Sequence, residues 1–256
     1  MTTINFKSKG DGLPLILIHG FCESSWIWDS FTNKIADGFK VIAVDLPGFG
    51  ASTLPKSHFS IKEIAQSLNQ WVVSEGFNTA ILIGHSLGGY VALSMMDQNP
   101  ELYAGLGLFH STSRPDTPVK RENRDKVITF VKEHGVSKFI DSFVPGLYHL
   151  KDHKSLPFAY KIASKTMEPT FLAYTEAMRD RPSSEQVLVN AKVPILIIAG
   201  QHDPVIEVAT LVEQARLNSS IIFYILPNVG HMGLLEAEKE AAQVVNDFAN
   251  LVKSKT

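Results

Sequence analysis

Short, fully apolar runs that alternate with amphipathic helical patterns narrow the fold of this chain more than any other feature. The runs are residues 13–18, 41–44, 80–83, 105–109, 194–199 and 221–226. Each is too short for a helix of its own, and most lack the alternation of a strand with one wet face. They read as strands of a mostly parallel, doubly wound α/β sheet with helices on both sides. Between the runs, Ser60 and Glu63 form a capping box ahead of a stripe of Ile61, Ile64, Ala65, Leu68, Trp71 and Val72. Val208, Leu211, Val212 and Ala215 repeat that spacing, as do Ala241, Val244, Val245, Phe248 and Val252. A further helix is expected from Ser86 through Tyr90 to about Gln98, stopping at Pro100.

The alternation breaks between residues 111 and 191. Val127, Phe130 and Val131 form one helical stripe ended by Gly135, and Phe139, Ile140 and Phe143 another ended by Pro145-Gly146. A third lies near Phe158 and Ile162, and Glu168-Pro169 opens a fourth carrying Phe171, Leu172 and Met178. The expectation is a core of residues 1–110 and 192–256 with a helical insertion, residues 111–191, ahead of the strand at 194–199. The fringes of the insertion, 114–118 and 181–184, are rich in turn residues and read as hinges. The length of 256 residues suits one α/β domain.

A formal net charge of −2 gives no broad attraction for nucleic acid or an anionic membrane. Lys120, Arg121, Arg124 and Lys126 are interleaved with Glu122 and Asp125, which reads as a solvated helix face. Cys22 is the one cysteine, so no internal disulfide forms, and a reducing compartment fits. Residues 1–10 have no signal-peptide core, and the apolar runs 13–18 and 193–199 fall far short of the ~20 residues that cross a bilayer. The chain is therefore expected to be cytoplasmic, a monomer or small homo-oligomer.

Gly84-His85-Ser86-Leu87-Gly88 matches G-x-S-x-G. Composition alone produces this pattern in roughly one chain in twelve of this length, so its context has to decide. It follows a buried run and opens a helix, the strand–turn–helix setting in which a serine is held out at the end of a sheet. An ordinary tight turn is the alternative. A serine needs a base, and the base an orienting acid. Asp203 follows the run 194–199 and His231 follows the run 221–226, which puts both on the same rim of the sheet as Ser86. The order Ser86, Asp203, His231 completes a candidate catalytic set. The Leu87 N–H, at a helix start, and the Phe21 N–H, after His19-Gly20, are the candidate oxyanion donors. His19 is expected to order its loop by hydrogen bonding.

These segments resemble the α/β-hydrolase superfamily from about Leu13 to Leu251, with the helical insertion corresponding to a cap domain. Residues 45–52, Asp-Leu-Pro-Gly-Phe-Gly-Ala-Ser, are similar to the family's D-x-P-G-x-G-x-S turn, which shapes the fold. Small capped serine esterases and 3-oxoadipate enol-lactone hydrolases are the most similar subfamilies, with residues 177–183 near the end of the cap adding to the likeness. The resemblance implies hydrolysis of a small carboxylic ester or lactone, with no metal and no organic cofactor. Dehalogenases and epoxide hydrolases carry aspartate where this chain has Ser86, and perhydrolases carry proline where it has Cys22. Hydroxynitrile lyases share a segment like residues 19–22 with tryptophans downstream, echoed by Trp26 and Trp28. A ligand sensor with slow turnover is the alternative of another class.

The expected pocket residues are Cys22, Trp26, His110, Phe139, Phe143 and Phe171, with Leu147, Phe158, Met167, Met178 and Trp28 also considered. For Cys22, space filling is the competing role; for His110, an exposed loop position. Arg114, Arg124 and Arg179 are the cap arginines that could meet a substrate carboxylate. His58, His134, His149 and His153 lack metal-ligand spacing.

Overall fold

The computed structural model describes residues 3–35, 37–54 and 56–256. Strands β1 (Phe6–Lys9), β2 (Leu13–Ile18), β3 (Phe39–Val44), β4 (Ala80–His85), β5 (Tyr103–Phe109), β6 (Ile195–Gly200) and β7 (Ile221–Leu226) form one sheet. Its order is β1-β3-β2-β4-β5-β6-β7, and all pairings are parallel except β1 with β3. The six apolar runs thus become β2 to β7. β1 is an addition that the sequence concealed, because Lys7 and Lys9 break its hydrophobic pattern. Lysines suit an edge strand, where they discourage pairing with another chain. Lys7 Nζ bonds Asp29 at 2.8 Å, and Lys9 Nζ bonds Asn33 at 2.7 Å. At the opposite edge, Ile222, Tyr224 and Ile225 of β7 are exposed, so this strand departs from burial on both faces.

The chain leaves β2 toward β3 on one side and returns to β4 on the other. This reversal makes a crevice beyond the carboxyl ends of β2 and β4, the usual place for a ligand in such sheets. Ile18 lies level with Gly84 in the ladder, so the segments that follow these two residues emerge side by side.

The helices are α1 (Asp29–Thr32), α2 (Ile61–Ser74), α3 (Leu87–Gln98), α4 (Pro118–His134), α5 (Val136–Leu147), α6 (Leu156–Ala163), α7 (Glu168–Asp180), α8 (Glu185–Asn190), α9 (Val208–Gln214), α10 (Gly233–Glu236) and α11 (Glu238–Lys253). The capping box of α2 is formed by Ser60 and Glu63 as the sequence suggests. Its apolar stripe, Ile61 to Val72, is buried. α3 packs between α2 and the strands, and α11 lies across β5. Among the described residues, no helix is long and apolar enough to cross a membrane.

Helices α4 to α8 fill the stretch between β5 and β6. Its fringes are cross-tied rather than loose. Ser184 N donates to Ser113 O at 2.8 Å, and Arg181 donates from Nη1 to Asp116 at 2.9 Å and from Nη2 to the Arg114 carbonyl at 3.0 Å. The Arg181 and Asp116 side chains are 6% and 2% exposed, and the guanidinium lies 3.8 Å from the centre of the Tyr90 ring. A charge this buried is tolerated because its donors are taken up. Arg124 also reaches Asp116, at 3.0 Å, so this member of the basic group turns inward rather than toward water.

Candidate active site

β4 ends at His85, α3 starts at Leu87, and Ser86 makes the turn between them with φ 50°. That left-handed angle is costly for a residue with a side chain, and the surrounding glycines make it possible. A Cβ on Gly84 would press on the backbone of Gly88, and one on Gly88 would press on the Ile18 carbonyl. The two glycines of G-x-S-x-G therefore mark close backbone approaches around a strained serine. Among the described residues, Cys22 (φ 59°), His110 (φ 48°) and Asn228 (φ 56°) are the others with side chains in this region, and they lie in loops after β2, β5 and β7, at the carboxyl ends of parallel strands.

The structure brings the three expected residues together. Ser86 Oγ lies 2.9 Å from His231 Nε2, and His231 Nδ1 lies 2.8 Å from Asp203 Oδ2. Nδ1 faces a carboxylate and must donate to it, which leaves Nε2 free to accept the Ser86 hydroxyl proton. Asp203 Oδ1 accepts from Val205 N at 2.8 Å and Ile206 N at 3.0 Å. Burial alone would push the Asp203 carboxyl up. The charge of His231 and hydrogen bonds from His110 and His231 outweigh it, holding the group well below the usual carboxylate range. The His231 N–H donates to Leu147 O at 2.7 Å, which ties the histidine loop to α5.

The second loop of the site follows β2. His19 Nδ1 donates to Gly20 O at 2.7 Å and Nε2 accepts from Leu46 N at 3.0 Å, so the ring is neutral and orders its loop. The Gly20 N–H is engaged by Glu23 Oε2 at 2.7 Å. The next amide is that of Phe21, and across the crevice Leu87 begins α3, where an N–H has no acceptor within its own helix.

The motif and the fold meet in one comparison: the model of the alpha/beta hydrolase family matches residues 15–245. The chain belongs to that family. A thermophilic esterase from Thermogutta terrifontis, solved with malate bound, is similar in structure with a TM-score of 0.92 and 26% identity, covering 98% of this chain and 94% of that one. The enol-lactonase from Burkholderia xenovorans LB400 superposes with a TM-score of 0.89 at 18% identity, covering 97% of both chains, a likeness of fold. An uncharacterized protein of Mycobacterium tuberculosis is 35% identical over 97 residues, which is 38% of this chain and 28% of that protein.

In this α/β-hydrolase three of the aromatics expected in the pocket gather on Phe21 in the loop after β2. The Phe21 ring lies 4.8 Å from Phe171 and 6.1 Å from Phe143, and Phe139 stacks on Phe143 at 4.9 Å. Other expectations are corrected. Trp26 is 52% exposed under the Lys7 ammonium, because its short helical turn points it out toward the sheet edge. Trp28 is buried against Phe31 and Phe109 in the core, Phe158 is part-exposed on the insertion, and Met167 lines a surface cleft with Trp26, Glu23 and Phe49. His110 is neither exposed nor a pocket wall: its left-handed backbone turns the buried ring to Asp203, with Nδ1 3.2 Å from Oδ2. Cys22 is buried, and burial pushes its thiol far up, which suits a space-filling role.

The arginines considered for a substrate carboxylate are engaged elsewhere. Arg114 pairs with Glu185 and Glu213, Arg124 with Asp116, and Arg179 with Asp125 and Asp180. His110, Asp203 and His231 form the one cluster of metal-binding residue types among the described residues. Their 2.8 and 3.2 Å separations are hydrogen bonds between ring N–H groups and a carboxylate.

Sequence reasoning missed Glu23, which pairs across 62 positions with His85. His85 Nδ1 lies 3.1 Å from Glu23 Oε2, and Nε2 lies 2.9 Å from the His231 carbonyl. Both ring nitrogens face acceptors, so the arrangement is an imidazolium beside a carboxylate. Burial opposes the charge on each group. The Glu23 carboxylate nevertheless raises the His85 imidazole above 6.5, and the His85 charge holds Glu23 below 4.5. The His85 contribution to stability is complete below 6.5 and fades as pH rises through its raised value. The Glu23 contribution is present above 4.5 and fades as pH falls through its lowered value. Glu23→Gln is therefore expected to cost about 2 kcal/mol between these limits, with the gap to wild type closing at alkaline pH. Thermal melts of both proteins across pH check this; a pH-independent gap would contradict it.

Proposed function

We propose that this α/β-hydrolase cleaves a small, uncharged carboxylic ester or lactone through a Ser86–His231–Asp203 triad. The continuous chain from Ser86 Oγ to His231 and from His231 to Asp203, at 2.9 and 2.8 Å, carries this reading. His231 Nε2 takes the Ser86 proton as Oγ attacks the ester carbonyl. The Phe21 and Leu87 N–H groups receive the oxyanion, and the alcohol leaves with the proton that His231 returns to it. Water, deprotonated by the same nitrogen, then attacks the acyl-enzyme and releases the acid, regenerating Ser86. Asp203 holds the imidazole in the tautomer this requires and stabilises its transient charge. The insertion acts as a cap that brings Phe139, Phe143 and Phe171 over Phe21. A cytoplasmic site of action fits the single free thiol.

The aromatic wall and the engaged arginines favour an uncharged apolar acyl or alkyl group. Hydrolysis of p-nitrophenyl butyrate and benzoate is expected to exceed that of a monoester bearing a free carboxylate by about 10-fold or more in kcat/KM, the scale of leaving one charge unpaired. Preference for the carboxylate-bearing ester would overturn the substrate class. Slow single turnover on every ester, with a large ligand-induced rise in Tm, would identify a sensor instead.

A further inference from the structure

We infer that His110 is a positioning residue for the reaction, a neutral second donor that fixes the carboxylate of Asp203 beneath His231. The inference rests on the triad reading above and assigns work to a histidine outside it. His110 follows β5 directly, is fully buried, and holds a left-handed backbone angle of 48° although it carries a large side chain. Such strain is retained where the surroundings over-determine a conformation. Here they do. The ring stacks on Phe109 with centroids 5.0 Å apart, and glycines at the end of β6 and the start of α10 face it. A Cβ on Gly200 would come within 2.7 Å of its Cε1, and one on Gly233 would press on its Nε2. Both elements leave out a side chain where this imidazole sits.

The two ring nitrogens have different surroundings, and the difference sets the proton. Nδ1 lies 3.2 Å from Asp203 Oδ2, whereas Nε2 is buried with no hydrogen-bond partner among the described residues. A carboxylate oxygen only accepts, so Nδ1 donates. A proton on Nε2 would be a buried, unpaired donor carrying charge, which is far costlier than a bare lone pair. Burial accordingly holds the imidazole down to about 4. His110 is thus a fixed donor with one N–H, unlike His85, whose two nitrogens both face acceptors.

This N–H ends on the oxygen that also receives His231 Nδ1. With Val205 and Ile206 on Oδ1, both carboxylate oxygens are fixed, and Asp203 can neither rotate nor swing away from His231. The same donor withdraws part of the negative charge that His231 feels. Removing it strengthens the hold of Asp203 on an imidazolium and also makes Asp203 itself easier to protonate. Both effects move the acid limb of the rate profile to higher pH.

The test compares His110→Leu, which keeps bulk and loses the donor, with His110→Asn, whose amide nitrogen falls near the Nδ1 position. Where Leu at the left-handed angle fails to fold, His110→Gln, whose amide nitrogen falls near Nε2, serves as the donor-loss variant. The kcat/KM profile on p-nitrophenyl butyrate and the Tm are measured for each. Donor loss is expected to lower kcat about 10-fold, a part of what acid–base catalysis supplies, with little change in KM. The acid limb is expected to rise by about 0.5–1 pH unit, and Asn to return both parameters most of the way. In an Asp203→Asn background the same change is expected to cost little more, since both act through one carboxylate. A donor-loss variant that lowers Tm while leaving the limb in place would reduce His110 to core packing. An active Ser86→Ala protein would instead remove the triad reading.

Discussion

Ser86→Ala lowers kcat toward an activated short-chain ester by about 10⁵–10⁶-fold while leaving KM near its wild-type value. In the proposed reaction the effect is large because Oγ is the atom that bonds the acyl carbon. Cys22 is the one thiol of the chain, and it is buried and held far from ionisation. The fold has no reason to suffer. Alanine is smaller than serine and meets the same left-handed angle, so Tm is expected to stay within about 2 °C, the scale of a neutral surface-type change. A Ser86→Ala protein with wild-type turnover would mean that ester cleavage takes place elsewhere.

Asp203→Asn is expected to cost about 10⁴-fold in kcat, less than the loss of the nucleophile but through a different cause. The carboxylate accepts four N–H groups, from His231, His110, Val205 and Ile206. An asparagine in its place keeps one oxygen and puts an amide N–H on the other. With its oxygen toward Val205 and Ile206, the amide N–H points at His231 and invites the wrong tautomer, in which Nε2 carries the proton and cannot take one from Ser86. Turned the other way, it leaves two backbone donors unpaired. The variant is thus expected to fold, to bind an ester, and to turn it over very slowly, which rapid-quench and steady-state rates together would show. Turnover within tenfold of wild type would contradict the role given to Asp203.

Much of the frame was legible because parallel strands buried on both faces write themselves as unbroken apolar runs. β2 to β6 follow that rule, and Ser60 with Glu63 announced α2. β1 escaped because an edge strand protected by Lys7 and Lys9 has no apolar signature. At the site, Ser86, Asp203 and His231 were legible through their loops and their order along the chain. Side-chain direction was not. Trp26 and Phe158 looked like pocket walls by type, yet their local helices turn them to solvent. His110 and Glu23 were hidden for another reason: each acts on a partner 93 or 62 positions away, a pairing that exists only once the sheet has formed. Arg124 read as a surface charge because Asp116, its buried partner, lies at the fringe of the insertion rather than on the same helix face.

The central claim is that Ser86 is the residue that attacks. Labelling the protein with a fluorophosphonate and locating the adduct by peptide mass spectrometry tests it most directly. The account predicts one phosphonyl group per chain, on Ser86, abolished in Ser86→Ala and strongly slowed in Asp203→Asn. An adduct on Cys22 or any other residue, or an unlabelled protein that still hydrolyses esters, would contradict it.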